Sequence, residues 1–217
     1  MKYRVVIFDL DGTLLYTLDD LWHCVNHALA AYGLPERSRD EVRRFVGNGL
    51  RKLISRAVPD GTPDDVQEQV FAELKAYYDV HYRDYARLYE GIIPMLKELK
   101  EAGCMTAVAS NKADRFTQKL CRDFFGELID FSVGEHPGVD KKPAPDMVRL
   151  ALERFGLAEK DALYVGDSEV DISTAENSGV DAIIVDWGFR DRSTLEEKGA
   201  DVIISSPDEL TKIVLEQ

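Results

Sequence analysis

Of the 217 residues, 45% are hydrophobic and 31% charged, which supplies a packed core and argues against a disordered chain. The formal net charge of -13 disfavours nucleic acid and anionic membrane surfaces as partners, yet allows a small anionic ligand in a locally positive cleft. The three cysteines, Cys24, Cys104 and Cys121, are too few and too scattered for a disulfide framework or a cysteine zinc site.

The chain opens on Val5-Val6-Ile7-Phe8, a β-branched run of the kind found in a strand covered on both faces. No basic leader and apolar stretch precede it, and no run of about 18 apolar residues follows, so a cytoplasmic location is expected. The strand stops at Asp9, Asp11, Gly12 and Thr13. Two carboxylates one residue apart stand where open α/β sheets bind ligands, at a strand's carboxyl end. From about Leu18 to Ala86 the periodicity is helical and no strand is expected. Leu21, Val25, Ala28 and Leu29 repeat at helical spacing before Gly33-Leu34-Pro35 ends that helix. Ser38, with Glu41 three residues on, reads as a capping box. Gly47-Asn48-Gly49 separates one apolar series (Val42, Phe45, Val46) from a second (Leu50, Leu53, Ile54, Ala57). Thr62-Pro63 then opens a long helix carrying Val66, Val70, Leu74 and Tyr77.

From about Leu88 the pattern alternates. Helices are predicted over 92–102, 113–125, 146–155 and 170–177. Strands are predicted over 105–109, 131–134, 162–165 and 181–185, with a short last one near 202–204. Such alternation implies a mostly parallel sheet with right-handed crossovers. The first strand belongs with this later part. The expected organisation is an α/β core of residues 1–15 and 88–217, with a helical cap of residues 16–87 inserted.

Four strand ends of the core finish in polar residues: Asp9 and Asp11, then Ser110-Asn111-Lys112, then Lys142 before a proline, then Asp167 with Asp171 four residues on. Singly each has a plain reading. Ser110 serves equally as a helix N-cap, Lys142 as a solvated side chain, and Asp171 as a first-turn acid. Together they are distinctive. Asp9-Leu10-Asp11-Gly12-Thr13-Leu14, Ser110, Lys142 and Gly166-Asp167-x-x-x-Asp171 resemble the four motifs of the haloacid dehalogenase superfamily, and of its phosphatases in particular. Phe45-Val46-Gly47-Asn48-Gly49-Leu50, Ser110-Asn111-Lys112 and Gly166-Asp167-Ser168-Glu169-Val170-Asp171-Ile172 are most similar to the phosphoglycolate phosphatase branch. One departure is Tyr16-Thr17, where the family usually has an acidic residue before Ser or Thr.

The resemblance implies a Rossmann-like core and a hydrolase of small phosphate esters, phosphoglycolate first. It implies that Asp9 attacks phosphorus to form an aspartyl-phosphate, with Asp11 as general acid and base. Ser110 and Lys142 would bind the phosphoryl oxygens. Mg²⁺ would be held by the Asp9 side chain, the Asp11 backbone carbonyl and Asp167, with Asp171, Glu169 and Ser168 orienting that set. Asn111 and Lys112 are expected beside the substrate. In the cap, Asn48, Gly49 and Arg44 are the candidates for a substrate carboxylate, with Arg43 and Arg51 near them. The expected partner is a small-molecule phosphate ester, handled by a monomer or homodimer. A phosphomutase of the β-phosphoglucomutase kind, a pyrophosphatase, or a broad sugar- or nucleotide-phosphate phosphatase are the alternatives.

Overall fold

The computed structural model describes residues 2–215. In chain order, β1 (Val5–Phe8) is followed by β2 (Leu15–Tyr16) and the helices α1 (Leu18–Ala31), α2 (Arg39–Phe45), α3 (Leu50–Ala57) and α4 (Asp64–His81). After β3 (Arg87–Leu88) come α5 (Ile92–Glu101), β4 (Met105–Ala113), α6 (Asp114–Phe125), β5 (Phe131–Glu135) and α7 (Asp146–Phe155). The chain ends through β6 (Ala162–Gly166), α8 (Glu169–Ser178), β7 (Asp181–Val185), α9 (Arg192–Glu197), β8 (Ile203–Ile204) and α10 (Pro207–Leu215). Residues up to Leu15 and from Leu88 onward form one unit, and Tyr16–Arg87 form a second.

In the first unit β1 is buried from end to end, as its uninterrupted apolar run requires. It pairs in parallel with β4 on one side and β6 on the other. The six-stranded sheet has the order β5-β4-β1-β6-β7-β8, and its pairs are parallel throughout. The chain winds outward from β1 to β5, then returns to β6 and winds outward to β8. The carboxyl ends of β4, β1 and β6 therefore lie side by side at the switch in winding direction, where such sheets form a crevice. This is the Rossmann-like parallel sheet expected from the alternating pattern. One core layer packs Val5 and Ile7 of β1 against Ala107, Val133, Met147, Val148 and Ala151.

The structure corrects several element boundaries. β4 runs four residues past its expected end, so Ser110, Asn111 and Lys112 lie within it, beside a register shift between Ala109 and Ala113. Ser110 is therefore not a helix N-cap; Ala113 occupies that position for α6. β2 and β3, two residues each, pair with one another just outside the helical stretch, where no strand was predicted. α9 and α10 were not expected.

In the helical unit α1 buries Leu21, Cys24, Val25, Ala28 and Leu29, and α4 buries Val70, Leu74 and Tyr78. The α2 capping box is formed: the Glu41 N–H donates to Ser38 Oγ at 3.3 Å and the Ser38 N–H to Glu41 Oε2 at 2.8 Å. Tyr16 sits in a polar cluster. Its hydroxyl donates to Asp19 Oδ1 at 2.8 Å, Arg39 contacts both, and the Arg87 guanidinium lies 3.8 Å from the Tyr16 ring centroid. All three cysteines are free and buried. No helix among the described residues is long and apolar enough to cross a membrane.

Candidate active site

Lys142, on the segment between β5 and α7, is 4% exposed. Its Nζ lies 2.8 Å from Asp9 Oδ1, at the end of β1, and 2.9 Å from Asp171 Oδ1, on α8. It also donates to the Tyr164 hydroxyl on β6 at 2.9 Å, and that hydroxyl donates to Asp171 Oδ1 at 3.0 Å. The other Asp171 oxygen accepts from Ser168 Oγ at 2.7 Å and from the N–H groups of Asp167 and Ser168 at 3.2 and 3.1 Å. Both Asp171 oxygens are thus occupied by protein donors. A Cβ on Gly166 would fall 2.2 Å from the Asp171 carboxyl carbon, so the glycine of the Gly-Asp pair makes room for this carboxylate. The Asn111 amide faces the lysine's main chain, donating to Lys142 O at 3.0 Å and accepting from Lys142 N at 2.8 Å. It fixes the segment that carries Lys142. The Lys142–Pro143 peptide bond is cis.

Lys112 is directed at Asp11. Its Nζ lies 3.0 and 2.8 Å from the two Asp11 carboxylate oxygens, with the lysine side chain almost wholly buried. Ser110 is buried on the same strand, and its Oγ accepts the Lys112 N–H at 3.3 Å.

Asp167, just past β6, is held between two glycines. A Cβ on Gly12 would lie 2.3 Å from Asp167 Oδ2, and one on Gly188 would lie 2.3 Å from the Asp167 Cβ. The Phe189 N–H donates to Asp167 Oδ2 at 2.7 Å, and Thr13 Oγ1 lies 3.4 Å from Oδ1. Glu169 is engaged by Arg190, whose Nε and Nη2 meet its two oxygens at 2.9 and 3.2 Å.

Burial dominates the electrostatics. It pushes the Asp9 carboxyl up to about 7, against the pull of Lys142 and with the negative charges of Asp171 and Asp11 adding to it. Burial, then Asp171 and Asp9, hold Asp167 well above the usual carboxylate range. Asp171 differs: burial raises it, but Lys142, Ser168 and Tyr164 overrule that and hold it below the ordinary value. Lys142 is raised despite burial because Asp171 and Asp9 flank it. One carboxylate oxygen from each of Asp9, Asp167 and Asp171 lies within 4.8 Å of the others. Since the Asp171 oxygens are already taken, Asp9 and Asp167 are the buried carboxylates that a cation would neutralise. An all-oxygen donor set of this kind fits a hard divalent cation.

Arg44, Asn48 and Gly49 belong to the helical unit. Asn48 Oδ1 accepts from Arg56 Nη2 at 2.9 Å, and Arg56 Nη1 donates to Phe45 O at 2.7 Å, so Arg56 ties together the loop between α2 and α3. Arg51 is paired with Glu68 and lies over the Phe71 ring, and Arg43 is 3.8 Å from Asp40. Arg44 is exposed.

Sequence reasoning passed over Tyr164, Arg56 and the segment Trp187–Arg190. Tyr164 reads as one more apolar strand residue. The 187–190 segment meets Asp167 itself through a glycine and a backbone N–H, which leave no side-chain signal.

The haloacid dehalogenase-like hydrolase family model matches residues 6–185. Phosphoglycolate phosphatase 1 of Pseudomonas aeruginosa is 31% identical over 94% of this chain and 76% of its own length. The phosphoglycolate phosphatase of Mannheimia succiniciproducens is 31% identical over 98% of this chain and 99% of its own. A crystal structure of a predicted phosphoglycolate phosphatase from Haemophilus somnus aligns at a TM-score of 0.91, with 28% identity and 99% of both chains covered. CbbY from Rhodobacter sphaeroides, solved with phosphate, aligns at 0.74 with 28% identity over 96% of each chain.

Proposed function

This chain belongs to the haloacid dehalogenase-like hydrolase family and is most similar to its phosphoglycolate phosphatase branch; from that premise we propose a Mg²⁺-dependent phosphatase of small anionic phosphate esters, phosphoglycolate first. The observation that carries the reading is the placement of Lys142 between Asp9 and Asp171 at the carboxyl ends of the sheet, with Asp11 and Asp167 on the neighbouring turns.

An Asp9 carboxylate oxygen attacks phosphorus, and the bond from phosphorus to the ester oxygen breaks. Asp11 gives its proton to that departing oxygen and later takes one from the water that attacks the aspartyl-phosphate. Inorganic phosphate leaves and the Asp9 carboxylate is restored. The Lys142 ammonium and the Ser110 hydroxyl meet the phosphoryl oxygens, and Asp171 keeps Lys142 aimed at Asp9. Asp9, Asp167 and the Asp11 carbonyl would hold Mg²⁺, which supplies the charge neutralisation that lets an anionic nucleophile approach a dianion. Arg44, Asn48 and Gly49 of the helical unit are the residues assigned to recognition of the ester's carboxylate.

The test is phosphate release with Mg²⁺ across phosphoglycolate, sugar phosphates and bisphosphates, pyrophosphate and nucleotides. A dominant kcat/KM on phosphoglycolate is the expected result, with Arg44→Ala lowering that preference more than the rate on an aryl phosphate. A dominant rate on a sugar bisphosphate would favour the second reading, suggested by the CbbY variant solved with xylulose-(1,5)bisphosphate. Release from no ester would overturn the proposal.

A further inference from the structure

The segment between β7 and α9 contacts Asp167, the start of α8 that follows it, and the turn after β1 that packs against it. Trp187 Nε1 donates to Thr13 O at 3.0 Å, bracing the turn that follows Asp9 and Asp11. Gly188 presses its backbone against Asp167, leaving no room for a Cβ. The Phe189 N–H donates to Asp167 Oδ2 at 2.7 Å. Arg190 forks onto both oxygens of Glu169, the first residue of α8. The sheet order explains the position: β7 pairs with β6, so the turn leaving β7 emerges beside the one that carries Asp167.

We propose that Trp187–Arg190 is a positioning clamp that sets the affinity of the site for its divalent cation by fixing the Asp167 carboxylate. The inference rests on reading Asp167 as a metal ligand. One Asp167 oxygen accepts the Phe189 N–H, the other lies 3.4 Å from Thr13 Oγ1, and the side chain fills the space that a Cβ on Gly12 or Gly188 would take. These contacts fix the direction in which the carboxylate presents its remaining lone pairs. Groups that orient a ligating carboxylate typically contribute about tenfold to a hundredfold in metal affinity. The hydrogen bonds of Phe189 and Arg190 reach Asp167 and Glu169, not the carboxylates of Asp9 and Asp11, so loosening the clamp should lower cation affinity more than turnover at saturating metal.

Gly188→Ala pushes directly on Asp167. Trp187→Phe keeps an aromatic side chain and removes the indole N–H that bonds Thr13, so it remains informative if Gly188→Ala does not fold. Mn²⁺ alone is titrated into the substrate-free parent, both variants and Asp167→Asn, with free ion followed by electron paramagnetic resonance. The same proteins are assayed at saturating metal. The expected result is a Kd for Mn²⁺ raised about tenfold or more by Gly188→Ala and about threefold or more by Trp187→Phe, with kcat at saturating metal within about threefold of the parent. Folded variants that bind Mn²⁺ like the parent would overturn the clamp. So would an unchanged Kd with a collapsed kcat. A parent that binds no Mn²⁺, or an Asp167→Asn that binds it equally well, would instead remove Asp167 as a ligand.

Discussion

The Lys142 ammonium is shared by Asp9 and Asp171, and the two carboxylates use it differently. Asp171 has its oxygens filled by Lys142, Tyr164, Ser168 and two backbone N–H groups and stays ionised. Asp9 has fewer donors and is raised by burial. The first carboxylate suits a fixed counter-charge and the second suits a nucleophile. Asp171→Ala leaves Lys142 and Tyr164 buried without that counter-charge. Removing one partner of such a buried pair costs about 3–5 kcal/mol, to be read as a lowered midpoint in urea unfolding. Asp9→Asn should keep the fold by circular dichroism and lose phosphate release about a thousandfold or more. At this scale the sequence was informative wherever a charged residue ended a strand. Asp9, Asp11, Ser110, Lys112, Lys142, Asp167 and Asp171 all come to the carboxyl edge of one sheet. It was silent where positioning falls to an apolar-looking residue such as Tyr164, or to a backbone group such as the Phe189 N–H.

Among the elements, α2 shows a local signal acting directly. The Ser38 side chain satisfies an orphan N–H of the first turn, and Ser38→Ala should destabilise the helical unit by about 1 kcal/mol, measured by denaturant unfolding. The turn from β2 into α1 is built on Tyr16, Asp19, Arg39 and Arg87. Burial alone would raise Asp19, but Tyr16 and the two arginines hold it below the usual carboxylate value. Its folded pKa is thus depressed. Its contribution to stability is complete above the unfolded value of about 4 and is lost as the pH falls through the folded one. Asp19→Asn should therefore flatten the decline of Tm with acid below about pH 4. Helices and strands with a long apolar period were legible within a residue or two. β2 and β3 are too short to show any period, and their pairing depends on residues 71 positions apart in the chain being brought together (Tyr16 and Arg87). α9 buries a single residue, Leu195, which leaves no stripe to read. β4 was cut short in the sequence reading because its last residues are polar, although their backbone stays within the strand.

Across the whole molecule, a formal charge of -13 coexists with a site built from buried lysines and carboxylates. Asp9 and Asp167 lie within reach of one another in a buried setting, and each is raised by its surroundings. A bound divalent cation should relieve that repulsion and stabilise the folded chain by mass action, about 2.7 kcal/mol at a hundred times its Kd. Thermal unfolding should show Tm rising with Mg²⁺ in the parent and hardly at all in Asp167→Asn. Chelator should remove both the shift and the activity, and added Mg²⁺ should restore them. The central claim is that Asp9 carries the phosphoryl group. Its most direct test is a borohydride quench during turnover of the best ester, followed by peptide mass analysis, because an acyl phosphate is reduced where a free carboxylate is not. The account predicts homoserine at position 9, dependent on substrate and absent from Asp9→Asn. Reduction at a different carboxylate, or turnover undiminished in Asp9→Asn, would contradict it.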